Sequence, residues 1–214
     1  YVPLGFYAVD CDTVERVIGR PTMVRNKVET QIAIWEGRRD ELVESLKRDS
    51  VEFYRKIDCA DLILFKEAPL VPPKGYEPDP PRSIGDDLWE DREGRIWKAD
   101  RDANDMMIVD RPPLEKTYST EDFEIPAHVE PPDESIFEAF DYLLAQLGEE
   151  RFICGSFRAG PMPMLGPFQE AMVAYALQPE VIHAANQRMV AVQGRLDPAY
   201  CREGMAGAHI EQDM

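Results

Sequence analysis

The chain has 214 residues, 44% of them apolar, which is ample for a packed globular core. Its 41 Asp and Glu outweigh 24 Lys and Arg, giving a formal net charge of -17 that repels nucleic acid and anionic membrane surfaces. No run approaches the roughly 20 apolar residues needed to span a bilayer, and no basic segment leads into an apolar one at the amino end, so the reading is a cytoplasmic protein. Cys11, Cys59, Cys154 and Cys201 lack zinc-type spacing and read as buried, reduced thiols.

In chain order, Val2 to Val9 is predicted as a strand. Asp12, with Glu15 three residues on, reads as the N-cap of a short helix that Gly19 ends. Pro21 is expected to open the next helix, and apolar residues then recur at helical spacing to Ile57, with Gly37 breaking the run into two helices. Leu62 to Phe65 is a short buried strand that delivers Lys66 and Glu67 at its end. The prolines at 69, 72, 73, 78, 80 and 81 then exclude helix and central strand, leaving a long ordered excursion. Leu88 to Glu90 and Arg95 to Lys98 flank the turn residues Glu93-Gly94, and Met106 to Val109 is a third strand. An antiparallel flap over 87–110 is expected, its tryptophans forming either its core or a substrate platform.

Pro131-Pro132-Asp133 introduces a helix that Gly148 stops. The strand Phe152 to Ser156 runs into a loop of small residues carrying Arg158. Two helices follow, Phe168 to Leu177 and Val181 to Val192, the second opened by Pro179-Glu180. Asp197-Pro198 is expected to start a separate helix ending near Gly204, before a fourth strand over Ala206 to Asp213. Strands alternating with helices predict a parallel α/β fold, with its four strands adjacent in chain order.

Parallel strands present chemistry at their carboxyl ends, and the candidates are sought there. Glu67 is the first, as an acid, a hydrogen-bond acceptor or simply an ion-pair partner of Lys66. Asp213 reads as a second catalytic carboxylate or as the N-cap of a following helix, and Gln212 beside it as a substrate ligand. Arg158 could hold a carboxylate or phosphate, or pair with one of the many acids. Tyr7 and His209 complete the binding set, with plain packing as the alternative for each.

Pro3-Leu4-Gly5-Phe6-Tyr7, Asp61 through Glu67, Cys154-Gly155 through Pro161, and Gly204 through Asp213, in that order and spacing, resemble the first half of the uroporphyrinogen decarboxylase family. The resemblance implies a (β/α)8 TIM barrel, of which 1–214 would be a single incomplete domain of about four βα units, with an insertion at about 68–125. It implies one of two chemistries. Decarboxylases of the family use an arginine pair after the first strand, where this chain aligns Ala8 and Asp12. They also carry a tyrosine after the third strand, which is missing near Pro167. Glu67 takes the place of the family's strand-two aspartate. These departures favour the methyltransferase-like branch, which moves methyl groups between a cobamide and a thiol or folate acceptor, commonly with zinc, whose ligands are expected beyond Met214. The alternatives are a tetrapyrrole decarboxylase and a non-catalytic barrel that docks a corrinoid protein. The expected partners are accordingly a small-molecule substrate or methyl carrier.

Overall fold

The computed structural model describes residues 2–6, 8–64, 66, 68–112, 117–156 and 163–209, with only the backbone of Ser156 and His209. They form a mixed α/β structure with one parallel and one antiparallel sheet. Two compact units are present. The larger comprises the chain up to Pro112, Asp133–Gly155 and Arg202–Gly207, and the second the remaining segments.

In the larger unit α1 (Cys11–Ile18) turns Cys11, Val14 and Ile18 inward and stops at Gly19, whose φ of 81° lets its N–H donate to the Glu15 carbonyl at 2.7 Å. The helix begins earlier than the sequence suggests. Asp10 is the N-cap, while Asp12 lies within the first turn and pairs with Arg16 at 3.0 Å. Burial of Cys11 in step with Val14 overrides the local capping pattern. Pro21 opens no helix either. Residues 20–26 stay irregular because their polar groups are bound by α3 (Arg39–Ile57): the Thr22 hydroxyl donates to Asp49 at 2.8 Å, and the Met23 N–H to the Ser45 hydroxyl at 3.0 Å. The next helix, α2 (Lys27–Trp35), starts at Asn26, whose side chain accepts the Glu29 N–H. The break expected between α2 and α3 is present at Gly37, with φ 75°.

The parallel sheet follows chain order. Among the described residues a single isolated parallel bridge joins Gly5 to Leu62; β1 (Leu62–Leu64) pairs in parallel with β6 (Phe152–Ser156), Ile63 opposite Ile153; and β7 (Gly207–His209) neighbours β6. The described residues of the first predicted strand therefore show one bridge in place of a strand. Val2 and Leu4 are largely exposed there, so little apolar burial rewards longer pairing. Any side chain on Gly5 would begin 2.8 Å from Leu62, which explains glycine at that contact. Ile63 and Ile153, both fully buried, meet Leu42, Leu46 and Phe53 of α3 and Phe140, Leu143 and Leu147 of α4 (Glu138–Leu147) in one core. Each of these large side chains contributes about 1.5–3 kcal/mol by leaving water.

Between β1 and β6 lies the antiparallel sheet: β2 (Arg82–Gly85), β3 (Leu88–Glu90), β4 (Ile96–Asp100) and β5 (Asp105–Asp110), in that order. The expected flap is there with one strand more, since Arg82–Gly85 emerges from the proline-rich stretch as an exposed edge, where proline neighbours are tolerated. The stretch itself is tied down by Arg39. Its guanidinium donates to the Pro72 and Ser135 carbonyls at 2.6 and 2.9 Å and to Glu138 at 3.0 Å.

In the second unit, α5 (Phe168–Leu177) and α6 (Pro179–Tyr200) enclose a small core of Leu165, Val181, Ile182 and Ala185, with Tyr118 and Phe123 against it. Pro198 does not start a separate helix as expected. It sits in the last turn of α6, where the N–H it removes costs one hydrogen bond at the helix end and not in the interior.

Candidate functional site

Most of the predicted site lies outside the described residues: Tyr7, Glu67, Arg158, Gln212 and Asp213 all do. His209 ends β7, with its backbone alone described. The expected convergence of Glu67, Asp213 and Arg158 on one rim therefore concerns residues outside that set.

Among the described residues, a cleft of about 630 Å³ opens where the chain, having left the Gly5 bridge in its carboxyl direction, enters α1. Its walls come from the first turns of α1 and α2, the loop between them, and the turn joining β4 to β5. Asp12, which falls where decarboxylases of the resembled family have an arginine, lines it.

Two of the three cations that line the cleft are already paired. Lys27 pairs with Asp105 at 3.0 Å; Arg101 pairs with Glu29 at 3.2 Å and Asp87 at 2.8 Å. Glu15 accepts the Thr22 N–H at 3.2 Å. The Cys11 thiol, 3.8 Å from the Glu15 carboxylate and from the Thr22 carbonyl, is pushed up to about 11 by burial first and by Glu15 second. It is a packed thiol, not a nucleophile at neutral pH.

Arg25 differs from the other two cations. It is half-buried, its Nε donates to the Val9 carbonyl at 3.3 Å, and its terminal nitrogens meet no carboxylate among the described residues. Its backbone has φ 60°, unusual for a residue with a side chain, and Asn104, itself at φ 48°, donates from Nδ2 to the Arg25 carbonyl at 2.8 Å. Sequence reasoning misses Arg25 because a helix opened by Pro21 would run through it. The signal was nonetheless present: Asn26 with Glu29 three residues on marks a helix start and places Arg25 in the preceding loop.

In all, five carboxylates line the cleft against three cations. Such a wall disfavours a ligand bearing several negative charges. Among the described residues no group of three or more His, Cys, Asp or Glu is arranged to hold a metal ion, and the zinc ligands that the resemblance implies are expected beyond Met214. The three tryptophans are not a platform in this cleft. Trp89 and Trp97 pack on Trp35 of α2, with centroids 5.5 and 5.7 Å apart. No helix among the described residues is long and apolar enough to cross a membrane. Compared with known proteins, the chain matches no family model, and no curated protein or solved structure is significantly similar to it.

Proposed function

We propose that the protein carrying this chain is a (β/α)8-barrel enzyme of the uroporphyrinogen decarboxylase type, to which these residues contribute about four βα units. On this reading it works as a corrinoid-linked methyltransferase or demethylase, moving a methyl group between a cobamide and a thiol or folate acceptor. Glu67 and Asp213 act as its acids, with Tyr7, Arg158, Gln212 and His209 as substrate ligands. The observation that carries the choice of branch is the acidic cleft after the first parallel segment. A porphyrinogen with its many carboxylates requires compensating cations on leaving water, and Asp12 with its neighbours supplies the opposite charge. The parallel, chain-ordered run from Gly5 through β1 to β6 supports the barrel reading. Four cysteines without a disulfide among them support a cytoplasmic setting.

The test is anaerobic assay of the protein with methylcobamide, zinc in the buffer and a thiol or folate acceptor, and separately with uroporphyrinogen. Methyl transfer is expected, reduced at least tenfold by Glu67→Ala, about 1.4 kcal/mol of transition-state stabilisation. Decarboxylation of uroporphyrinogen at roughly 1 per second or faster overturns the assignment.

A further inference from the structure

We infer that the cleft at the first turns of α1 and α2 binds a small monocarboxylate, a molecule with one carboxylate and no second negative charge, through the Arg25 guanidinium. This rests on reading the cleft as a substrate site, though not on methyl transfer being the reaction.

A guanidinium presents a planar fork that matches a carboxylate in two parallel hydrogen bonds. In Arg25 the Nε–H is taken by the Val9 carbonyl, which fixes the plane of the group, and the terminal nitrogens have no carboxylate acceptor among the described residues. The backbone at its root is held as well, by the bond from Asn104 to the Arg25 carbonyl and by Asn26, the next residue, capping α2. Anchoring at both ends lowers the entropy lost when a ligand is bound. Lys27 and Arg101 are already neutralised by Asp105, Glu29 and Asp87, so the cleft offers one available positive charge.

The remaining carboxylates set the limit on the ligand. Asp10, Glu15 and Asp102 line the cleft and have no cationic partner among the described residues. They repel a second negative charge and tolerate a positive one, so a dicarboxylate or phosphate is rejected while an amino acid is accepted. The volume, about 630 Å³, suits a small organic molecule.

The experiment is an isothermal or NMR titration of the intact protein at low salt with acetate, glycine, succinate and inorganic phosphate. Acetate and glycine are expected to saturate with dissociation constants below roughly 10 mM, and succinate and phosphate to bind at least tenfold more weakly. Arg25→Gln is expected to weaken acetate tenfold or more while Arg25→Lys, which keeps the charge and loses the fork, retains part of the affinity. Asp102→Asn, at an exposed turn position, is expected to strengthen succinate several-fold, a gain that no folding defect imitates. Absence of saturable acetate or glycine binding overturns the inference. So does succinate binding as tightly as acetate, or acetate binding unchanged in Arg25→Gln. The titrations need no methyl donor, so the site and the proposed reaction fail separately.

Discussion

The Cys11 thiol borders a cleft, a position where a cysteine often serves as a nucleophile, and its surroundings determine that it does not. Burial and the Glu15 carboxylate push it up to about 11, which leaves roughly one molecule in ten thousand as thiolate at pH 7. Cys154 is raised in the same direction by burial, whereas Cys59 and Cys201 are exposed. Iodoacetamide on the native protein is expected to label Cys59 and Cys201 and to spare Cys11 and Cys154 until denaturant is added. Peptide mass spectrometry reads this directly, and native labelling of Cys11 as fast as Cys59 would refute it. At this same scale the expectation of buried thiols holds for Cys11 and Cys154 and fails for Cys59 and Cys201, and the expected cap fails as well: Asp12 resembles an N-cap by spacing, but Cys11 turns inward with Val14.

Among the elements, the antiparallel sheet depends on Asp91. Its carboxylate accepts from Trp97 Nε1 at 2.7 Å, from Arg95 Nε at 2.6 Å and from the Glu93 and Arg95 N–H groups, so one side chain both closes the β3–β4 turn and orients the ring that meets Trp35. Burial raises the Asp91 carboxyl, and the bonds from Trp97 and Arg95 outweigh it, holding the group down at about 2. Asp91→Ala is expected to cost about 2 kcal/mol, from several lost bonds to a charged acceptor and a loosened aromatic contact. The chain has 3 tryptophans and all lie in this junction, so intrinsic fluorescence reports it alone. A red-shifted emission with a lowered melting temperature is the expected result, and unchanged emission would count against the role of Asp91. Glu93-Gly94 was readable as turn chemistry, Gly94 taking φ 74°. The role of Asp91 was not, because it depends on a tryptophan six residues away folding back across the turn.

For the molecule as a whole, the acidic composition makes acid the informative perturbation. Asp49 is fully buried; burial raises its carboxyl, but bonds from Arg48, Thr22, Ser45 and Arg20 prevail and hold it at about 2. Bonds from Arg20 and Lys56 hold Glu52 there too, and Glu138 is held by Lys47 and, against burial, by Arg39. Each is depressed in the folded state, so its contribution is complete above its unfolded value and is lost as pH falls through the folded one. Stability is therefore expected to decline from about pH 4.5 to about pH 2, with Asp49 alone accounting for roughly 2 kcal/mol. Urea midpoints followed by circular dichroism across that range check this. Asp49→Asn should lower the midpoint at neutral pH and flatten the acid decline, and equal wild-type midpoints at pH 5 and pH 2.5 would contradict it.

The sequence by itself determined the helices and strands whose signals are local. Periodic apolar positions from Val28 to Tyr54 define α2 and α3, because a helix with one buried face can be read from its own residues; Gly37 marks their break for the same reason. The parallel order of β1 and β6 was also legible, since short apolar strands separated by helices have few other arrangements. Tertiary structure alone decided that the described residues of Val2 to Val9 make one parallel bridge and that Pro21 lies in a loop held by α3. In both cases the deciding partner is distant in sequence: Leu62 for Gly5, Ser45 and Asp49 for the loop. The same holds for the cleft. Arg25 was visible as a residue, but its availability follows from Asp105 and Glu29 having taken the other cations, pairings that exist only once the β4–β5 turn meets α2.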